Sequence, residues 1–229
     1  MGRRRDIETS ALKSVVIGAS GGIGRALAEA LEARGGEVVR LSRPEVDVTD
    51  EASIAAAAAR VGAVDQVLVA TGLLHDAEQR PEKSMSALDA AALARSFAVN
   101  AIGPALAAKH FLPLLPRDRR GVFAALSARV GSISDNRLGG WHAYRASKAA
   151  LNQLIRTLAI ELRRTHPQAV CVGLHPGTVD TRLSLPFQRG VPDLFTPERA
   201  ASALLGVLDG LTPEQSGRLF AWDGREIAP

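Results

Sequence analysis

Cysteine is almost missing from this chain: Cys171 is the single one in 229 residues. That excludes an internal disulfide framework and a cysteine-rich zinc site. No set of His, Asp and Glu has metal-ligand spacing either, so no metal is expected. Aromatic residues make up only 4%, with one tyrosine and two tryptophans. No apolar run approaches the ~18 residues that a membrane span requires. The basic start of the chain is not followed by an apolar segment, so it does not read as a secretory signal. Charge of one sign is not in large excess: 28 Lys and Arg face 24 Asp and Glu, for a net +4. Arg3, Arg4, Arg5 and Lys13 against Asp6 and Glu8 leave a surplus of two, half of the net charge, in a terminal tail over 1–13. Arg117, Arg119 and Arg120 around Asp118 read as a solvated loop. Without a basic helix or an aromatic-interleaved basic stripe, no nucleic-acid partner is expected. The composition predicts a cytoplasmic protein with no membrane partner.

What is present is enough apolar material, 46% of residues, to bury one sizeable core. Short β-branched runs at Ser14–Ile17, Val38–Leu41, Val67–Ala70, Val122–Leu126, Val170–Leu174 and Leu219–Ala221 alternate with helical stretches. The helical patterns cover 25–33, 52–61, 88–111, 143–164 and 197–208. Thr196, with Pro197 and Glu198 behind it, is a good N-cap for the last of these. Strand, helix, strand repeated without a linker predicts a doubly wound, Rossmann-type α/β fold: a parallel sheet of about seven strands, helices on both faces, one domain over 14–229. The strand runs are apolar on both faces, as buried parallel strands should be. Ligands in such a sheet bind beyond the carboxyl ends of the strands.

Three of those strand ends carry chemistry. After the first strand, Gly18-Ala19-Ser20-Gly21-Gly22-Ile23-Gly24 offers a tight turn, backbone open to close approach and helix amides aimed at an anion. The spacing departs from G-x-G-x-x-G. After the second strand, Ser42 and Arg43 stand where an acidic residue would hold ribose hydroxyls. An arginine beside a small hydroxyl residue suits a 2′-phosphate, so NADP is favoured over NAD. Asp47 further on suits an adenine amine or helix capping, and Asp50 could cap the helix at Glu51. After Leu126 comes Tyr144-Arg145-Ala146-Ser147-Lys148. Tyr and Lys at i and i+4 share a helix face. An ammonium about 4 Å from a phenol favours phenolate by up to ~4 kcal/mol at an effective dielectric near 20. A phenol so tuned exchanges a proton with a carbonyl or alcohol oxygen.

Taken together, these residues resemble the short-chain dehydrogenase/reductase family over essentially the whole chain. The motifs occur in family order: Gly18 to Gly24, Ala70-Thr71-Gly72, Asn100, Tyr144 to Lys148, and Pro176-Gly177-Thr178-Val179-Asp180-Thr181. The stretches 127–140 and 175–181 are most similar to the C-factor and carbonyl-reductase-like branch. The resemblance implies that Tyr144 is the general acid/base and that Lys148 binds the nicotinamide ribose and lowers the tyrosine pKa. It implies that Asn100 holds its helix open around a water. Gly18, Ser20, Gly22, Ile23, Gly24, Ala70 and Gly72 would lie against the dinucleotide, with Pro176, Val179 and Thr181 gripping the carboxamide and phosphates. Where the family has two serines after the central strand, this chain has Ser127 then Ala128. Ser127 is the expected substitute for the substrate-orienting hydroxyl and Ser132 the alternate, although strand alternation points Ser127 the other way. His75, Trp141 and His142 could line a substrate pocket, and Leu183 to Phe195 reads as an apolar cover. The expected activity is NADP-dependent reduction of a ketone or aldehyde, or the reverse oxidation. The alternative is an NADP(H)-binding regulatory or signalling protein with little turnover. The resemblance further implies a homodimer or homotetramer built through the two long, alanine-rich helices.

Overall fold

The computed structural model describes residues 11–229; Arg3, Arg4 and Arg5 of the expected basic tail lie outside them. The chain runs β1 (Lys13–Ile17), α1 (Gly22–Ala33), β2 (Glu37–Leu41), α2 (Glu51–Val61), β3 (Gln66–Val69), α3 (Ala90–Phe97), α4 (Gly103–Phe111), β4 (Val122–Leu126), α5 (His142–Leu162) and β5 (Val170–His175). It closes with the two-residue strands β6 (Thr178–Val179) and β7 (Leu194–Phe195), then α6 (Pro197–Gly210), β8 (Leu219–Ala221) and β9 (Glu226–Ile227). The main sheet has seven strands in the order β2-β1-β3-β4-β5-β8-β9. All its neighbours are parallel except β8 and β9. The expected doubly wound fold is the one observed. β1 begins at Lys13, one residue inside the expected tail.

Alternation along the strands explains why the sequence runs are apolar throughout. Val15, Ile17, Val67, Val69, Phe123, Ala125 and Cys171 face one layer, packed on α2, α4 and α5. Val16, Leu68, Ala124, Val172, Leu174 and Phe220 face the other, packed on α1 and α6. Cys171 is fully buried among the first set, and burial pushes its thiol up to about 12. It is an inert core residue. Asp50 caps α2 through the Ala52 amide and Thr196 caps α6 through the Arg199 amide, as their positions suggested.

One expected element differs in form. The helix read over 88–111 is α3 and α4 joined by a π-helical turn at Ala98–Ile102, which contains Asn100. The helical run Ala90–Leu114 is long and apolar enough to cross a membrane by length and composition. In this fold Ala107, Ala108 and Phe111 of that run are instead fully buried against the sheet. A smaller sheet, in which β6 and β7 pair in parallel, was not foreseen; it pins Val179 beside Phe195.

Candidate functional site

The chain order reverses between β1 and β3, the switch point where ligands bind in open α/β sheets. A cleft of about 970 Å³ opens there, along the carboxyl ends of the strands. Gly18, Ser20, Ser42, Arg43, Asp47, Ala70 and Gly72 line it, all residues singled out by the sequence.

The glycine loop is crowded by backbone. Gly18 has φ +89°, and a Cβ there would lie 3.0 Å from the Ala70 carbonyl carbon. A Cβ on Gly24 would lie 2.2 Å from the Gly18 carbonyl oxygen, and one on Gly22 would lie 2.7 Å from Thr181 Cγ2. Side chains at these positions would push the turn apart, so the loop must be glycine to bring α1 up to the cleft. α1 has Gly21 at its N-cap position, with no side-chain cap and no acid in its first turn. Its leading amides and positive dipole end are therefore left for an anion. Thr181 sits against this end, and Ile23 packs on the cluster of Val179, Phe195 and Ala200. Pro176, at the turn between β5 and β6, leads the chain to that cluster.

Two arginines close together in sequence have different fates. Arg40 is tied to Glu32 through Nε at 2.9 Å and Nη2 at 2.7 Å. Arg43 is exposed at the cleft rim and forms no ion pair or hydrogen bond among the described residues. Asp47 accepts from the Thr49 amide and hydroxyl at 2.9 and 2.7 Å, and these bonds hold its carboxyl below the usual value. Thr71 Oγ1 is buried without a protein partner. An open helix terminus, an unpaired cation and an orphaned hydroxyl along one groove fit a phosphorylated dinucleotide.

Asn100 and Lys148 lie behind Gly72 of the cleft wall, and Tyr144 is one turn from Lys148 on α5. Asn100 is fully buried; its Oδ1 accepts from the Leu73 amide at 2.8 Å. Its Nδ2 donates to the Leu73 carbonyl at 2.8 Å and to Ser147 Oγ at 3.0 Å. The π turn thus stitches the β3 loop to α5, a frequent use of π turns at functional sites. A Cβ on Gly72 would lie 3.7 Å from Asn100 Oδ1 and 3.9 Å from Lys148 Nζ, so Gly72 is the contact between cleft and catalytic groups. Lys148 is 2% exposed, and its Nζ donates to the Leu126 carbonyl at 2.8 Å. The Tyr144 hydroxyl makes no hydrogen bond among the described residues, and the side chain is only partly buried.

The Tyr–Lys electrostatics depart from expectation. Lys148 Nζ lies 5.8 Å from the Tyr144 ring centroid. Burial dominates both groups, pushing the Tyr144 phenol up to about 12 and the Lys148 ammonium down to about 7. At neutral pH the protein alone keeps the phenol protonated rather than drawing it towards phenolate.

Neither serine supplies a hydroxyl to Tyr144. Ser127 is 4% exposed and donates to Asn152 Oδ1 at 2.6 Å, so it points to the middle of α5, as strand alternation suggested. Ser132 Oγ accepts from the Asp135 amide at 3.1 Å and donates to the Pro229 carbonyl at 3.4 Å. Ser127, expected as the substrate-orienting hydroxyl, is engaged with Asn152 instead.

An aromatic enclosure adjoins the phenol. The Phe187 ring lies 4.9 Å from Trp141 and 5.6 Å from His75, and Trp141 lies 6.3 Å from Tyr144. Of the expected cover, Leu183 lines the cleft beside Gly72 and Phe187 reaches the aromatic enclosure. Phe195 is instead buried under Trp222, at 4.7 Å, with the Arg199 guanidinium 3.6 Å above its ring. The sequence reading also missed Asp76, Arg95 and Arg182, which line the cleft. Arg95 pairs with Asp76 and Glu78, contacts that only the folded loop creates.

The profile of the family described as short chain dehydrogenase matches residues 41–190. A dehydrogenase of 1-hydroxy-2-glutathionyl-2-methyl-3-butene from Rhodococcus sp. (strain AD45) is 33% identical over 224 residues, covering 92% of this chain and 96% of the relative. The chain therefore belongs to the short chain dehydrogenase family of oxidoreductases. C-signal of Myxococcus xanthus is 40% identical over 142 residues, 61% of this chain and 80% of that protein. Among solved structures, the NADPH-bound carbonyl reductase from chicken fatty liver superposes with a TM-score of 0.82 at 24% identity, covering 96% of this chain and 99% of that one.

Proposed function

We propose that the protein is an NADP(H)-dependent reductase of ketones or aldehydes, with Tyr144 as the proton donor. The observation that carries this reading is the Tyr144 hydroxyl, partly exposed and without a hydrogen-bond partner among the described residues, one helical turn from Lys148, whose Nζ lies 3.9 Å from a Cβ built on Gly72 in a cleft suited to a dinucleotide. Gly18, Ser20, Gly22 and the α1 amides would take the pyrophosphate, and Ser42 with Arg43 the 2′-phosphate. Asp47, Ala70 and Gly72 would lie along the adenosine side. Lys148 would hold the nicotinamide ribose, and Pro176, Val179 and Thr181 the carboxamide end. When bound, the reduced nicotinamide supplies a hydride to the carbonyl carbon. Tyr144 releases its proton to the carbonyl oxygen as that oxygen gains charge. Asn100 fixes the β3 loop to α5, so that Gly72 and Lys148 keep their spacing. Trp141, Phe187 and His75 would exclude water around an apolar or aromatic substituent of the substrate.

The NADPH-bound state of the chicken carbonyl reductase and the dehydrogenase activity named for the Rhodococcus relative support this reading. So does the unpaired state of Arg43. Exposed Ile102 and Ile160, beside α4 and on α5, support an assembly through those helices as a homodimer or homotetramer. A panel of carbonyl compounds with NADPH, run beside Tyr144→Phe, is the test. Turnover in the parent that the variant lacks, with NADPH bound equally by both, is expected; equal inertness of both proteins with NADPH tightly bound would remove the reductase reading. That outcome would favour a cofactor-binding regulatory or signalling protein, the reading supported by Ala128, the two occupied serines and the likeness to C-signal.

A further inference from the structure

Tyr144 stands in the first turn of α5, a helix that starts without a cap of its own. The N-cap position is Trp141, in the left-handed region at φ 52°, and its side chain caps nothing. A bulky residue in that region is strained and stays there only when neighbours hold it. The Ala143 amide of the same turn is buried, where an unpaired N–H is costly.

Both demands are met by Glu82, far away in sequence on the loop between β3 and α3. Its carboxylate oxygens stand 3.3 and 3.2 Å from the Ala143 nitrogen, and its own carbonyl accepts from the Trp141 amide at 2.6 Å. Glu82 is 5% exposed, a burial that acids reach only when partnered. Gly140, at φ +64°, passes so close that a Cβ would lie 3.3 Å from the same Glu82 carbonyl. The loop that carries Glu82 is anchored at its other end: Gln79 Nε2 donates to buried Ser96 Oγ at 2.8 Å, and Arg95 pairs with Asp76 and Glu78.

We infer that Glu82 is a positioning residue for catalysis, which sets the Tyr144 phenol and the Trp141 wall of the substrate pocket in one geometry by supplying the missing cap of α5. The inference rests on the role proposed for Tyr144. Glu82 reaches neither substrate nor cofactor cleft directly; it acts through the first turn of α5. Because the demand is for an acceptor oxygen, an amide oxygen should serve nearly as well as a carboxylate. Displacing Tyr144 should lower kcat, and releasing Trp141 should raise KM most for bulky aromatic carbonyls. The cofactor cleft, held by the glycine loop, should be spared.

The test compares Glu82→Ala, Glu82→Gln and Gly140→Ala with the parent. NADPH affinity, kcat and KM are measured, together with the NMR signal of labelled tyrosine, which comes from Tyr144 alone because the chain has one tyrosine. Misplacement by about 1 Å is worth on the order of 100-fold, so Glu82→Ala should lose about that factor in kcat and keep NADPH affinity within about threefold, while Glu82→Gln recovers to within about fivefold of the parent. Gly140→Ala disturbs the same contact with the carboxylate still in place, so it should shift the tyrosine signal even if Glu82→Ala fails to fold. An unchanged tyrosine signal in Glu82→Ala or, failing that, in Gly140→Ala would overturn the inference. Parent protein without turnover but with a tyrosine signal that moves in these variants would leave Glu82 in its role and refute only the reductase reading.

Discussion

The two ends of the cleft are built from different material. At the glycine loop, recognition is made of backbone: an uncapped helix start, a turn at φ +89° and contacts too tight for any Cβ. At α5 it is made of side chains of α5, the π turn and the segment after β6, tied to the backbone of the β3 loop and the end of β4. The first end tolerates almost no substitution but needs nothing from afar. The second depends on long-range support.

The contrast predicts that substitutions at the α5 end change turnover while those at the β2 end change cofactor affinity. The largest effect belongs to Tyr144→Phe, which should lower kcat by about 100- to 10,000-fold, the span for a lost general acid, with NADPH binding intact by fluorescence titration. Arg43→Ala should weaken NADPH by about 10- to 100-fold, as for a lost charged hydrogen bond, and leave NADH unchanged. Arg40→Ala is the control, because Glu32 already occupies that guanidinium; if both variants weaken NADPH alike, Arg43 is not the phosphate residue. Ala128→Ser adds a donor where the family places one and should raise kcat by about tenfold, a modest part of the 100-fold that one such donor can contribute. A variant indistinguishable from the parent would mean that the substrate carbonyl finds its second donor elsewhere.

A separate effect falls on stability. Lys148, pulled from 10.5 to about 7 by burial, binds fewer protons in the folded than in the unfolded chain between those pH values. Its contribution therefore penalises folding below pH 7 and relaxes as pH rises from about 7 to 10.5. Denaturant melts of the protein without cofactor should show that rise between about pH 7 and 9, above which the raised thiol of Cys171 opposes it, and Lys148→Met should flatten it.

The backbone-built end was legible in the sequence because its causes are local. Consecutive glycines after a β-branched run, then a helix pattern, specify a turn and an open helix terminus whatever lies elsewhere. Tyr144 and Lys148 were legible for the same reason, being one helical turn apart. Their electrostatics were not, since spacing fixes a shared face but not how deeply burial reaches each group. Arg40 and Arg43 look alike in sequence; only the fold brings Glu32 to one and leaves the other free. Glu82 carried no signal at all, because its partner Ala143 lies 61 residues away. The π turn at Asn100 was equally hidden inside an unbroken helical pattern.

The most direct test of the account is the titration of Tyr144 in the protein without cofactor, followed through the signal of the only tyrosine. A phenol held protonated for delivery to a carbonyl should titrate well above its ordinary 10.0, towards about 12. Titration at or below 10.0 would contradict the claim that burial, rather than the Lys148 charge, sets the proton on Tyr144.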